Sequence, residues 1–213
     1  MGPTYWRRSI ARYGRGVSRT TPVEEPPSRA VVAAEGIAII VGLLYVIEIA
    51  DTFAGHALDR DLGLKTRNLA DIWAVATSPF VHVGWSHLIG NTPPLLIFGF
   101  MVLLSGWREF ARVCTIAILC AGLAAWLFSA SHSITMGASG VIMGLLTYVL
   151  ARGFYTRKVG QILVSLVTFA LFGGLLWGLL PTDPHVAWQA HVGGAIGGII
   201  AAYALRRPTE EPA

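Results

Sequence analysis

Apolar residues in this chain come in long unbroken runs rather than in alternating or one-sided patterns. Six runs approach or exceed the roughly 20 residues that a helix needs to cross a bilayer core. They are Val31–Ile49, Phe80–Leu104, Phe110–Phe128, Met136–Phe154, Val159–Leu180 and Val186–Leu205. The stretches between them are mostly too short for separate domains. The pattern predicts an all-α fold, a polytopic membrane bundle of six transmembrane helices. Residues 30–207 form that domain, residues 1–29 a basic and disordered cytoplasmic tail, and residues 208–213 a short cytoplasmic tail. Residues 51–79 make the one long external loop. Its second part, Leu69 to Ala76, is apolar enough to lie in the membrane interface, with Trp73 at a suitable depth.

Composition agrees with lipid as the solvent. The chain is 54% hydrophobic and 13% charged, more apolar surface than a water-soluble domain of this size can hide. Charge then sets orientation. Arg7, Arg8, Arg12, Arg15, Arg19, Arg29, Arg108, Arg112, Arg152, Arg157, Lys158, Arg206 and Arg207 flank one side of the expected spans; only Arg60, Lys65 and Arg67 flank the other. The positive-inside rule places both termini in the cytoplasm of a cell whose inner (plasma) membrane holds the chain. Anionic lipid headgroups account for the basic tail, so no nucleic-acid partner is called for. Cys114 and Cys120 lie six apart in one span, project to different faces and read as small apolar fillers. Glu35 and Glu48, near opposite ends of the first span, are expected to snorkel.

Polar side chains inside spans face the bundle interior or a water cavity. Here they are His82, His87 and Asn91 in the second span, Ser139 in the fourth and His191 in the sixth. A rise of about 1.5 Å per residue puts Ser139 about 5 Å below Met136 and His191 about 7 Å below Val186. His87 falls about 10 Å below Phe80. The groups therefore share one layer beneath the outer surface. A serine hydroxyl becomes a nucleophile when a neighbouring base takes its proton, and an imidazole suits that task. Acyl transfer also needs donors for an oxyanion. His87 and Asn91, four apart, share a helix face, and the Ser139 amide near a helix start is a third donor.

The bland alternatives are specific. A membrane serine usually bonds back to a carbonyl of its own helix. Pro93-Pro94 frees the carbonyls of Ile89 and Gly90, which Asn91 or water could satisfy. His82 reads as structural, nearer the surface than His87 and off the face shared by His87 and Asn91. His82 and His87 are five apart and face different directions, which argues against a two-histidine metal site, and no metal is expected. Gly140 and Gly144, like Gly194 and Gly198, are four apart and permit close helix approach in lipid.

These residues resemble a known family. Gly137-Ala138-Ser139-Gly140 resembles the nucleophile motif of rhomboid intramembrane serine proteases. Ala190-His191-x-x-Gly194-x-x-x-Gly198 resembles their sixth-helix histidine motif. His82, His87 and Asn91, after Thr77-Ser78-Pro79-Phe80, resemble their second-helix signature. The resemblance runs from about Asp71 to Arg206. It implies a rhomboid-like six-helix core and a Ser139–His191 dyad with no third acidic member and no cofactor. Oxyanion donors would be His87, Asn91 and the Ser139 amide, with the fifth helix admitting substrate. Partners would be single-pass membrane proteins, cut near the external membrane boundary, and membrane lipid; the oligomeric state stays open. Met143 stands where the family often has an aromatic stacked on the histidine, and the external loop lacks the Trp-Arg pair of many relatives. An inactive rhomboid-like protein that binds transmembrane segments is the alternative. A transporter is disfavoured because no Asp lies inside a span. A zinc or aspartyl intramembrane protease is disfavoured because its motif is missing.

Overall fold

The computed structural model describes residues 27–183 and 186–206. Residues 1–26 of the expected 1–29 tail and the expected tail at 208–213 lie outside them, while Arg29 is already helical. Each of the apolar runs is mostly helical. The order is α1 (Arg29–Phe53), α2 (Ala57–Leu62), α3 (Ala74–Thr77), α4 (Gly84–Leu103), α5 (Trp107–Phe128), α6 (Ser139–Thr156), α7 (Val159–Phe172) and α8 (Trp188–Ala204). Ser28 caps α1, its Oγ accepting from the Val31 amide at 3.3 Å. A 3-10 segment, Gly173–Leu179, continues α7.

Four helical stretches among the described residues are long and apolar enough to cross a membrane: α1, α4, α5 and Val159–Leu179. The expected count of six is met only in part, because α8 has 17 residues and α6 has 18 with Arg152 among them. The physical reason lies in where these two helices sit. Eleven residues of α6 are buried, and α6 touches α4, α5, α7 and α8. Helices that face protein rather than lipid carry small and polar residues at their contacts instead of an apolar coat. The outer helices show the opposite. Ile39 and Val46 on α1 and Leu166 and Phe169 on α7 are exposed, as lipid-facing side chains are. Of the α7 side chains, only Thr168 is buried.

The long loop between α1 and α4 is tied down rather than loose. Leu64–Lys65 (β1) pairs antiparallel with Ile134–Thr135 (β2) in the loop before α6, Leu64 opposite Thr135. Arg67 extends the tie by donating to the carbonyls of Leu127 and Ser129 and to Ser131 Oγ. Leu69 and Trp73 are exposed, as expected of an interfacial segment, while Ala74 and Val75 turn inward. Val75 packs where a Cβ on Gly122 of α5 would collide with it.

Candidate active site

Ser139 is the first residue of α6, and the turn that delivers it is specified residue by residue. Gly137 has φ +110°, in the region that favours glycine. A Cβ there would also run into the His87 ring. The Gly137 amide donates to the Ser78 carbonyl at 2.9 Å. The Ala138 amide donates to His82 Nε2 at 3.3 Å. His82 Nε2 is thus an acceptor, and the proton of the neutral ring sits on Nδ1, which is buried without a hydrogen-bond partner. The Ser139 amide belongs to the first turn of α6, whose N–H groups have no intrahelical acceptor.

His191 arrives by a different device. On α6 and α8 the spaced glycines face one another. A Cβ on Gly194 would overlap the Gly140 carbonyl, and one on Gly198 would overlap the Gly144 carbonyl. A Cβ on Gly144 would in turn meet the Gly194 carbonyl at 3.0 Å. The two backbones therefore touch, which only Gly permits. Thr147 Oγ1 crosses the same interface to donate to the Ala195 carbonyl at 2.8 Å. Since α6 begins at Ser139 and His191 is three residues into α8, contact along these stripes brings both to the same end of the bundle.

The His191 ring is held through Nδ1, which donates to the Gly178 carbonyl at 2.8 Å. A carbonyl oxygen can only accept, so in the neutral ring Nε2 carries the lone pair. Met143 packs behind: a Cβ on Gly178 would meet Met143 Cε at 3.2 Å and His191 Nδ1 at 3.3 Å. The backbone of the 3-10 segment after α7 thus orients the ring where Met143 offers no aromatic face. Sequence reasoning missed Gly178, because a main-chain acceptor leaves no signature in residue type.

Ser139, His191, His87, Asn91 and Gly137 line one cavity of about 610 Å³. Asn91 is 8% exposed, and its Nδ2 has no hydrogen-bond partner among the described residues. It does not donate to the carbonyls of Ile89 and Gly90 that Pro93 and Pro94 leave free. Its neighbour Thr92 faces α1, where its Oγ1 meets Tyr45 Oη at 3.2 Å. A buried amide with an uncommitted N–H, aimed into a cavity that holds a serine and a histidine, is a donor available to a bound group.

Two expectations about the second span are corrected. Helix α4 begins at Gly84, φ +73°, rather than at Phe80. His87 is therefore three residues below its helix start, matching His191 in α8. His82 precedes the helix and is buried at 1% exposure. Because the chain turns at Gly84, His82 and His87 do not follow helical spacing, and their rings meet edge-on with centroids 5.3 Å apart. His82 does not line the cavity; it stands behind it.

Comparison with known proteins gives the family. A rhomboid domain family model matches residues 69–208. An uncharacterized protein of Mycobacterium tuberculosis, Rv1337, is 36% identical over 203 residues, covering 92% of this chain and 84% of that protein. Rhomboid protease GluP of Bacillus subtilis is 28% identical over 181 residues, 81% of this chain and 34% of its own length. RHOMBOID-like protein 6, mitochondrial, of Arabidopsis thaliana is 30% identical over 141 residues, 62% of this chain and 43% of its own. With a family model covering residues 69–208, from within the loop after α1 through α8, the chain belongs to the rhomboid family of multi-pass membrane proteins.

Proposed function

We propose that this chain is an intramembrane serine endopeptidase that cuts single-pass membrane proteins near the external membrane boundary. The observation that carries the proposal is the single cavity shared by Ser139, His191, His87 and Asn91, with His191 Nδ1 committed to the Gly178 carbonyl. That commitment leaves Nε2 as the base. Ser139 Oγ attacks the scissile carbonyl while its proton passes to His191 Nε2. The tetrahedral oxyanion takes hydrogen bonds from the Ser139 amide, from Asn91 Nδ2 and from His87. The imidazolium returns the proton to the leaving amine, and water then hydrolyses the acyl-enzyme by the same route in reverse. The chain sits in the plasma membrane with both termini cytoplasmic, as its basic flanks suggest.

The test is cleavage of a tagged single-pass reporter in membranes by wild type and by Ser139→Ala. Cleavage by wild type alone supports the proposal. Equal cleavage by the variant overturns the nucleophile. A folded wild type that binds reporters and cuts none points to the inactive, segment-binding class of the family.

A further inference from the structure

A second polar cluster lies at the far end of α1, outside the site just described. Asp51 is buried at 1% exposure. Its Oδ1 accepts from the amides of Leu58 at 2.8 Å and Asp59 at 3.3 Å, fastening the start of α2 to the end of α1. Its Oδ2 lies 2.9 Å from His56 Nδ1. Asp59 Oδ2 lies 3.7 Å from the same nitrogen. His56 holds φ +60°, in the left-handed region that favours glycine. One ligand atom from each of these three residues lies within 4.8 Å of the other two.

Glu48 supplies an independent observation. It is 2% exposed, and its Oε1 is buried without a hydrogen-bond partner. It stands three residues before Asp51, on the same face of α1. The expected snorkelling of Glu48 is thereby corrected: its carboxylate turns inward. Asp51 and Asp59 converge on one imidazole, their ion pairs within the group both being with His56, and buried Glu48 lies one turn before Asp51. One imidazole is set against three carboxylates, and Glu48 Oε1 and Asp59 Oδ1 are buried without a partner, an excess of negative charge that a cation would offset.

We propose that Asp51, His56 and Asp59, backed by Glu48, bind a divalent transition-metal cation. The geometry fits. For bonds of about 2.1 Å, the 2.9 Å and 3.7 Å separations subtend about 90° and about 120° at the ion. Distorted tetrahedral and five-coordinate ions accept both angles. The ion takes the place of the proton between His56 Nδ1 and Asp51 Oδ2. One imidazole among carboxylates favours zinc or manganese over calcium or magnesium. Glu48 stands outside the triad and accepts from an ion-bound water. The His56 side chain is 54% exposed, which gives an entry path. Binding would clamp α2, and with it the start of the external loop, onto α1.

The test is calorimetric titration of zinc chloride, and separately of manganese chloride, into the EDTA-stripped full chain in detergent. One ion per chain is expected. His56→Ala and Asp59→Asn are expected to weaken binding by more than about 100-fold, and Glu48→Gln by about 10-fold. Neither of the first two removes the Asp51 cap on α2, and metal-free melting curves check that they fold. No uptake by wild type overturns the site. So does uptake unchanged in His56→Ala and Asp59→Asn, which would locate the ion on other histidines. Uptake of calcium chloride but of neither test metal overturns the transition-metal assignment. None of these outcomes depends on proteolysis.

Discussion

At the scale of single residues, the site divides into groups with free chemistry and groups already committed. Asn91 Nδ2 is uncommitted and lines the cavity. Asn91→Ala is expected to lower turnover about 100- to 1,000-fold with substrate binding spared, as loss of one oxyanion donor does. Single-turnover kinetics on the reporter separates this from a folding defect. His82 is committed to the Ala138 amide and stands behind the cavity. His82→Ala leaves that buried N–H without its acceptor, a loss of about 1–3 kcal/mol. Its activity is therefore expected to follow the folded fraction measured by thermal unfolding. If His82→Ala abolished cleavage in a fully folded enzyme while Asn91→Ala did not, the oxyanion assignment would fail. Ser139→Ala and His191→Ala should each abolish cleavage, and the double variant should be no worse than either, because the pair acts as a unit.

At the scale of elements, the contact between α6 and α8 brings Ser139 and His191, the proposed dyad, to one end of the bundle. Here the sequence was informative in one respect and silent in another. The four-residue spacing of Gly140/Gly144 and Gly194/Gly198 marks two flat helix faces, yet nothing in either segment says that the faces meet each other. Gly194→Ala puts a methyl group against the Gly140 carbonyl. Overpacking of this kind costs about 1–3 kcal/mol, and a displacement of about 1 Å at the site can cost about 100-fold in rate. Both unfolding temperature and reporter cleavage should fall. Gly160→Ala on α7, where a new Cβ meets nothing within 4 Å, is the matched control and should leave both unchanged. Unchanged cleavage in Gly194→Ala would mean that the close approach of the two backbones does not position the dyad.

At the scale of the whole molecule, the basic flanks call for both termini on one side of the membrane. With Cys114 and Cys120 replaced, cysteines introduced at Ser18 and Thr209 should resist an impermeant thiol reagent applied to intact cells. Labelling of either from outside would break the topology.

The sequence alone determined what depends on local composition and spacing. Apolar runs demand lipid and helix, because a backbone in hydrocarbon must satisfy its own hydrogen bonds. Polar residues within those runs, three short motifs and spaced glycines then marked Ser139, His191, His87 and Asn91, and the described structure gathers all four around one cavity. Only the tertiary structure decided the rest. The turn at Gly84 moves His82 off the helix and against Ala138. The Gly178 carbonyl fixes the His191 tautomer. The tie between β1 and β2 joins segments about 70 residues apart, and the return of α2 folds His56 and Asp59 over the end of α1. These features rest on main-chain acceptors, on left-handed backbone positions and on contacts between distant segments. Their cause is the meeting of two parts of the chain, and residue type along one part does not encode where the other will lie.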